Sequence, residues 1–535
     1  MSVSSSPNAP GLADFRRRYP LTVENLASLS NREAWLNRVW EIEQRWQTFQ
    51  ENPQKTDEVV FFDSAPKDLN VEAEFEIVYA GGTLGLLHAA VMATKFNRKV
   101  LVFDAHMVGK THRDWNISDE ELQEFVKAEL FTKEEIETAD ANRYKTGFVK
   151  FYDANSSVKT PPLFMDNVLD VAIEADKLLE IAVKKLKTTG SKIINNLRFV
   201  RLFIQKDKVL VECEDAKTGK RRLFRAKLFV DATGTNSPIS RQLNRGKSIT
   251  HICPTVGTVA RGFKRGGEKG VDFSVGEILV STEDASDNRQ LMWEGFAGNP
   301  QKDEYTTYLF FYDSVDSKAD KSLLRLFEDY FEKLPDYKLK NGAWRVVKPV
   351  FGYIPSVHHR GWNNRKKTAT ERVLLIGDAA GLSSPLTFCG FGSHVRNLRK
   401  LTVQIENALR ENLTDEENLG RINAYEPRVA QMSNLAEFMR PTERSKPAVV
   451  NETMNAVMSA LSLLDKKIAR EMFQDKISSA SLKKVLIKTA KIHPVVFKKM
   501  FSHLGANGAF WWIANITEAA LHEKNSDRVS HTETE

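Results

Sequence analysis

The stretch that decides the fold is Ile77-Val78-Tyr79-Ala80-Gly81-Gly82-Thr83-Leu84-Gly85. Its order indicates a buried strand, a tight turn and the start of a helix. A second apolar run, 99–103, ends at Asp104, 22 residues after Gly82. The glycines would let the backbone approach a pyrophosphate, the helix N-terminus would offer free N–H groups, and the acid would accept from a ribose hydroxyl. We therefore predict a dinucleotide site built from Gly81, Gly82, Gly85 and Asp104.

The glycine turn alone is weak support, because Ala80 stands where such a motif usually begins with glycine and glycines also cluster by chance in turns. Two later segments strengthen the prediction. One runs from Leu228 to Gly234 and ends in D-A-T-G, and the other runs from Val373 to Gly381 and ends in G-D-A-A-G. Both are apolar strands that end in a polar turn. The predicted cofactor-binding residues in these turns are Asp231, Gly234, Gly377 and Asp378.

The three segments, in this order and at these separations, resemble the FAD-contacting segments of a large flavoprotein group. That group includes aromatic hydroxylases, halogenases, geranylgeranyl reductases and lycopene cyclases. The resemblance implies FAD as the cofactor and implies that Asp378 holds its ribityl chain. A further expectation concerns the basic, polar loop at 109–118. Its Arg113 either reaches the FAD pyrophosphate or ribose, or is a surface arginine.

Composition is typical of a soluble or peripheral protein. The chain has 535 residues, 41% of them hydrophobic, which is enough for two or three interlocked domains. No apolar run approaches a membrane span, and the first ten residues have no signal-peptide core. The three cysteines are far apart, which predicts a reducing compartment and neither a disulfide framework nor a metal site. We expect a cytoplasmic protein.

Four longer strings narrow the resemblance. They are G-G-T-L-G at 81–85, R-D-W-N-I-S at 113–118, C-P-T-V-G-T-V-A at 253–260 and G-D-A-A-G-L-S-S-P-L-T-F-C-G-F-G at 377–392. Together they resemble the CruA/CruP branch of lycopene cyclases and their paralogues, over roughly residues 75 to 440. This resemblance implies a non-redox enzyme that uses reduced FAD, with electrons from NAD(P)H or another reductant. Its substrate would be lycopene or a related carotenoid, whose linear ends become ionone rings by protonation and deprotonation.

Such a reaction needs negative charge beside a carbocation and a dry site. The turn at 386–392 precedes an expected helix, whose N-terminus would favour a flavin anion if it pointed at the pyrimidine edge of the ring. Gly390 and Gly392 would allow the backbone to approach closely. The alternative is an ordinary loop before a buried helix.

The reaction also needs an acid, for which Glu294 is the candidate. It stands in the apolar, aromatic run 291–296, followed by a second run at 305–312, and the two runs predict neighbouring strands over the flavin. Other lycopene cyclases carry a functional glutamate in F-L-E-E-T, a string that this chain lacks. Desolvation by Trp293 and Phe296 would raise the pKa of Glu294 and keep it protonated. The alternative is a glutamate on the solvent face of the sheet.

The sequence of the C-terminal region predicts that it binds a membrane surface. Between Ile477 and Thr517 there is no Asp or Glu, while six lysines accompany three phenylalanines and two tryptophans. Basic, aromatic, amphipathic segments bind anionic membrane surfaces, so we expect peripheral association with a thylakoid or plasma membrane. A lysine-rich solvated helix is the alternative. Nucleic acid would also suit a net charge of +7, but no recognition motif supports it.

We therefore predict an α/β protein with a Rossmann-like three-layer FAD domain, an antiparallel β substrate domain and helical N- and C-terminal regions. The FAD domain comprises 71–134, 171–245 and 366–410, and the substrate domain comprises 135–170 and 246–365. Residues 1–70 form a helical extension, with a helix at 30–50 and a polar linker at 51–70, and 411–535 form the helical C-terminal region. The predicted function is lycopene cyclisation. The alternatives are an FAD-dependent monooxygenase or prenyl reductase, and a carotenoid-binding paralogue without catalysis.

Overall fold

A computed structural model describes residues 9–51, 56–62, 70–111, 114–356, 366–381, 390–422 and 427–532. Three short 3-10 helices occur at Pro300–Lys302, Gly377–Ala379 and Glu437–Met439. The α-helices are α1 (Leu12–Arg18), α2 (Pro20–Asn25), α3 (Arg32–Glu51), α4 (Leu84–Thr94), α5 (Asp119–Lys127), α6 (Lys133–Ala139), α7 (Ala175–Lys187), α8 (Pro238–Leu243), α9 (Leu323–Tyr337), α10 (Gly390–Glu411), α11 (Glu416–Arg421), α12 (Pro427–Ala436), α13 (Val449–Ser462), α14 (Lys466–Phe473), α15 (Ser479–Ile492) and α16 (Val495–Thr532).

The strands fall into three sheets. They are β1 (Val60–Phe62), β2 (Ala73–Ala80), β3 (Val100–Phe103), β4 (Trp115–Ile117), β5 (Asp140–Arg143), β6 (Thr146–Lys150), β7 (Leu163–Met165), β8 (Val171–Ile173), β9 (Lys192–Ile194), β10 (Leu197–Ile204), β11 (Val209–Asp215), β12 (Arg221–Asp231), β13 (His251–Phe263), β14 (Val275–Val280), β15 (Met292–Ala297), β16 (Glu304–Phe310), β17 (Asp313–Ser314), β18 (Lys340–Ser356), β19 (Ala369–Thr370) and β20 (Val373–Leu375).

The first sheet is the centre of a three-layer domain. Its parallel part has the order β20-β12-β2-β3-β9. The strands are apolar on both faces, as buried parallel strands require. One face packs against α4, α7 and α10, and the other is covered by the antiparallel pairs that β10 and β11 form with the first half of β12. The predicted three-layer Rossmann-like domain is confirmed.

The predicted polar linker at 51–70 is wrong in part. Residues 60–62 form β1, which pairs in parallel with β10 at the edge of the first sheet. The reason is local: Val59 and Val60 are apolar and buried, and both backbone N–H groups donate to the Gln242 side chain at 2.8 Å. The expected N-terminal helix forms as α3, beginning at Arg32 rather than residue 30.

The second sheet is mostly antiparallel and has the order β17-β13-β16-β15-β14-β6-β7, with β18 pairing β13. The amphipathic helix α9 covers one of its faces, where Trp293 stacks on Tyr337 with ring centroids 4.6 Å apart. The N-terminal helices join this cluster: Trp46 of α3 stacks on Tyr353, and Glu328 of α9 accepts from the Thr22 backbone at the start of α2. The second, antiparallel sheet expected from the sequence is therefore present.

The third sheet is small and antiparallel, with the order β4-β8-β5. The C-terminal region is helical, as predicted. Helices α12 to α16 pack around the end of the second sheet, where their apolar side chains cluster with Met292, Phe310 and Ile278. Helix α16 bends at Gly505, whose φ is 69° and ψ is 172°. Within the described residues, no helix is both long and apolar enough to cross a membrane.

Candidate cofactor and active site

The three turns predicted to bind the cofactor meet at one edge of the parallel sheet. Strands β2, β12 and β20 all run toward this edge. The Ala232 N–H donates to the Ala80 carbonyl at 2.8 Å, and the Ile376 N–H donates to the Asp231 carbonyl at 2.9 Å. The carboxyl edge of a parallel sheet is where such folds bind ligands. The structure thus brings together segments that are about 150 residues apart.

The glycine turn leaves no room for side chains. At Gly81, which has φ of 118°, an added Cβ would lie 2.2 Å from the Ala232 carbonyl oxygen. At Gly82 it would lie 2.7 Å from the Val108 Cα, and at Gly85 2.9 Å from the Ala232 Cβ. The Thr83 side chain makes no capping bond to α4. The first N–H groups of the helix are therefore suited to an anionic group, as a pyrophosphate would require.

Asp104 holds the shape of this turn. Its Oδ2 accepts from the Gly82 N–H and its Oδ1 from the His106 N–H, both at 2.8 Å. A carboxylate has acceptor capacity beyond these two bonds, so the predicted ribose contact is compatible with them. Sequence analysis missed one neighbour, Arg38 of α3. Burial lowers the pKa of Arg38, and the Asp104 carboxylate acts against that shift.

Asp231 shapes the second turn from inside. It is buried, and its Oδ1 accepts from the Thr233 N–H at 2.9 Å and from the Thr233 hydroxyl at 2.7 Å, while Oδ2 accepts from Ser237. Gly234 has φ of 88°, a backbone conformation that favours glycine. In the third turn Gly377 has φ of 58°, and Asp378 follows it in the short helix Gly377–Ala379.

A lysine that sequence analysis missed lies between the second and third turns. Lys366 Nζ donates to the Ala379 carbonyl at 2.9 Å, beside the carboxylates of Asp231 and Asp378. Burial lowers its pKa to about 7, although the two carboxylates act to raise it. No local sequence pattern marks this lysine, because only the fold brings it to the turns.

Glu294 occupies the face of the second sheet opposite α9. On β15 the α9 side carries Trp293 and Gly295, so Glu294 points the other way with Met292 and Phe296. It is 6% exposed, which excludes the solvent-face alternative. Burial raises its pKa to about 8, and a hydrogen bond with the Asn116 side chain only partly opposes this rise. Glu294 therefore holds a proton at neutral pH.

The strand β4 links Glu294 to the FAD domain. Asn116 contacts Glu294, and the neighbouring Trp115 stacks on Phe391 in the first turn of α10, with ring centroids 4.2 Å apart. On the sheet side, Thr306 Oγ1 and Lys348 Nζ bond to the Asp114 carboxylate at 3.4 and 2.7 Å. The candidate acid and the start of the predicted flavin helix thus share one short segment.

The glycines of α10 differ from expectation. Gly390 and Gly392 lie inside the first turn of the helix rather than before it. A Cβ on Gly392 would lie 2.6 Å from Glu121 Oε2, and the same carboxylate pairs with Arg396. This packing is a structural reason for glycine at 392, distinct from the predicted approach to a flavin. Arg113 and residues 386–389 lie outside the described residues, so their roles stay predictions.

A buried pair of histidines lies between α4 and α10. The rings of His88 on α4 and His394 on α10 lie 4.9 Å apart. Burial lowers the pKa of His394 to about 4 and that of His88 well below its ordinary value, so both rings are neutral at pH 7. The pair belongs to the core behind the glycine turn and holds α4 and α10 in contact.

Comparisons with known proteins bear on the fold. No protein-family model matches the chain, and a search of curated sequences finds no match. A solved geranylgeranyl bacteriochlorophyll reductase-like protein from Thermoplasma acidophilum has a TM-score of 0.53 at 15% identity, over 80% of this chain and 98% of that chain. A point mutant of the halogenase PltM in complex with FAD has a TM-score of 0.52 at 14% identity, over 84% of this chain and 96% of that chain.

A further PltM structure, in complex with phloroglucinol and FAD, gives a TM-score of 0.52 at 14% identity, over 84% of this chain and 92% of that chain. At these identities the similarity shows the fold alone. The fold predicted from the three turns is thus confirmed as one that solved flavoproteins share. The FAD prediction agrees with the two solved structures that contain FAD. The lycopene cyclase resemblance gains no separate support from these neighbours.

Proposed function

We propose that this protein is an FAD-dependent enzyme that acts on a carbon–carbon double bond of a long, apolar substrate, with Glu294 as the proton donor. The observation that carries the proposal is a buried, protonated carboxyl group on the sheet face that β4 joins to the start of α10. FAD suits the three turns because the glycines exclude side chains and α4 leaves its N-terminus uncapped.

The residues that would hold FAD are those of the three turns. Gly81, Gly82 and the start of α4 would hold the pyrophosphate, and Asp104 the ribose of the adenosine half. Asp378 would accept from the ribityl chain, beside Lys366. Bound reduced FAD would supply either a hydride or negative charge near a developing cation. The chain itself would supply the acid, the apolar walls and the exclusion of water.

Reduction of an isoprenoid double bond is the first candidate reaction. The fold neighbour described as geranylgeranyl reductase-like favours it, and so does Glu294, because reduction adds a hydride to one carbon and a proton to the other. A neutral carboxyl in an apolar site keeps the proton until the substrate is in place. The same geometry does not explain a halogenase or monooxygenase, which need no protonated carboxyl at an alkene.

Cyclisation of lycopene is the second candidate, and the four sequence strings at 81–85, 113–118, 253–260 and 377–392 favour it. It uses the same acid. Glu294 would protonate a terminal double bond, a neighbouring double bond would attack the cation, and loss of a ring proton would complete the isomerisation. No electrons are consumed, so the two reactions differ in their redox balance rather than in their acid.

The experiment that tests both candidates follows flavin and product together. Purified protein is loaded with FAD, reduced without oxygen and mixed with lycopene or with a geranylgeranyl substrate, and products are separated by chromatography. Reduction oxidises one flavin for each double bond saturated, whereas cyclisation gives ring-bearing product without flavin oxidation. Glu294→Gln removes either product, and Glu332→Gln, the same change at an exposed position of α9, leaves it unchanged.

Two outcomes would contradict the proposal. If Glu294→Gln forms product at the wild-type rate, the proton comes from another group. If carotenoid copurifies with the protein but neither product forms with reduced flavin, the chain is a carotenoid-binding paralogue without catalysis.

A further inference from the structure

Helix α16 carries an apolar stripe on its outer face. Beyond the bend at Gly505, the large exposed side chains are Phe510, Ile513 and Leu521, with exposed fractions of 63%, 52% and 44%. These positions repeat every three to eight residues and so share one face of the helix. Trp512 and Ala519 lie on the opposite face and are buried, and the Trp512 Nε1–H donates to the Asn434 carbonyl of α12 at 3.1 Å. The apolar stripe is therefore the solvent-exposed face of a helix whose other face packs against the protein.

Helix α15 presents a basic face. Its exposed side chains include Lys483, Lys484 and Lys491, which surround Ile487 at 47% exposure. Leu482 and Val485 point inward to the core. Among the described residues, these three lysines form no ion pair with a carboxylate, whereas Lys499 on α16 pairs with Glu452. The lysines of α15 are thus available to an external anion.

The charged side chains of α15 and of the first half of α16 are all basic. No Asp or Glu occurs between Ile477 and Thr517, so α15, the bend and the first half of the stripe carry no acidic side chain. Val495 and Phe501, which lie in α16 before its bend, are also exposed, at 51% and 36%. Exposed apolar side chains beside a lysine cluster combine the two forces that hold a helix in a membrane interface.

We propose that α15 and α16 form a docking face for an anionic lipid bilayer. The apolar stripe would enter the boundary between headgroups and acyl chains, and the lysines would contact anionic headgroups. Self-association through the same face is disfavoured, because it would bring two basic surfaces together without acids to neutralise them. The inference stands apart from the proposed reaction, since it depends on no residue of the three turns or of β15.

Vesicle sedimentation tests this face with the full-length chain. Vesicles of phosphatidylcholine alone and vesicles that also contain phosphatidylglycerol are compared. We expect binding to the second kind, with partial release in high salt, because ~1 M salt reduces the screening length to about 3 Å. Neutralising Lys483, Lys484 and Lys491 to Gln should lower the apparent partition coefficient about 100-fold, since each lysine near such a surface contributes about fivefold.

The apolar contribution is tested by Phe510→Ser with Ile513→Ser, which should lower partitioning by at least about tenfold at any salt concentration. The controls change residues elsewhere on the surface: three lysines to Gln at Lys187, Lys217 and Lys220, and one exposed apolar side chain, Val403→Ser on α10. Controls should bind as wild type does. Far-ultraviolet circular dichroism and the flavin content show that each variant is folded.

Three outcomes overturn the proposal. The first is an absence of binding to anionic vesicles. The second is binding that the controls reduce as much as the α15 and α16 variants do, which would mean diffuse attraction by net charge. The third is a dimer, seen by sedimentation velocity, that Phe510→Ser with Ile513→Ser dissociates, which would assign the stripe to a second copy of the chain.

Discussion

Replacing Glu294 by Gln should lower turnover and, at neutral pH, raise the stability of the folded protein. The pKa of this carboxyl is raised from 4.5 to about 8, so the folded protein binds a proton there that the unfolded chain releases between these values. Its contribution to stability is complete below pH 4.5 and is lost as pH rises toward 8. At ~1.4 kcal/mol per pKa unit, burying this group costs about 3 kcal/mol at pH 7 and under about 1 kcal/mol at pH 5.

The amide of Gln has the size of the carboxyl group but no charge, so it avoids this cost. Denaturant unfolding gives the stability difference between the variant and wild type at each pH. This difference should favour the variant by about 2 to 3 kcal/mol more at pH 7 than at pH 5. Turnover should fall by about 10² to 10⁴, the usual contribution of a general acid. Wild-type turnover should decline above pH 8, where Glu294 loses its proton.

The control is Glu332→Gln, the same substitution at an exposed carboxyl of α9. Parallel stability curves for Glu294→Gln and wild type between pH 5 and pH 8 would refute the reasoning, because they would mean that the carboxyl ionises freely in the folded state. Loss of turnover without the pH-dependent stability gain would mean that the carboxyl acts in its ionised form and not as the proton donor.

Three further predictions concern the cofactor site. Gly82→Val should lose bound FAD, since a side chain there meets the Val108 backbone, and flavin absorbance after gel filtration checks this; a yellow, flavin-replete variant would contradict the site. FAD should bind more tightly at pH 6 than at pH 8, because the pKa of Lys366 is lowered to about 7 and its positive charge is lost as pH rises. In fluorescence titrations, Lys366→Met should remove this dependence of FAD affinity on pH. An unchanged dependence would mean that Lys366 does not contribute to FAD binding. The free energy of unfolding should fall as pH drops from 6.5 toward 4, because the pKa of His394 is lowered to about 4 in the folded protein and unfolding lets the ring bind a proton. In denaturant titrations, His394→Gln should lessen this loss of stability. An identical loss in the variant would mean that His394 is not its cause.

The three turns could be predicted from sequence because each is a local pattern. In each turn a strand is followed closely by a glycine, and Gly81, Gly234 and Gly377 all adopt the positive φ that favours glycine. Their meeting at one sheet edge follows from the topology of parallel strands. The edge strand β1 was missed because three residues inside a polar stretch are too short for a periodic signal, and their pairing with β10 is a long-range contact.

The partners of the site could not be predicted in the same way. Lys366 stands in an unremarkable stretch, and Asn116 belongs to the string at 113–118, from which sequence analysis inferred no role for this side chain. Only the fold brings Lys366 to Asp378 and Asn116 to Glu294. The sequence did not decide to which face of the sheet Glu294 points, because β15 has apolar residues on both of its faces. Tertiary packing decides it: α9 covers the Trp293 side, which leaves Glu294 toward the FAD domain.

Glu277, on the neighbouring strand β14, shows why the environment of Glu294 matters for its chemistry. Both carboxyls are buried in the same sheet, at 7% and 6% exposure. Glu277 is paired with Lys338, which repays the burial of its charge. Glu294 forms no ion pair with any described residue, and its polar neighbour, Asn116, is neutral. Because no cation neutralises the buried carboxylate, the carboxyl group keeps its proton. A proton held in this way can be given to a substrate, which is why we assign the acid to Glu294 and a structural role to Glu277.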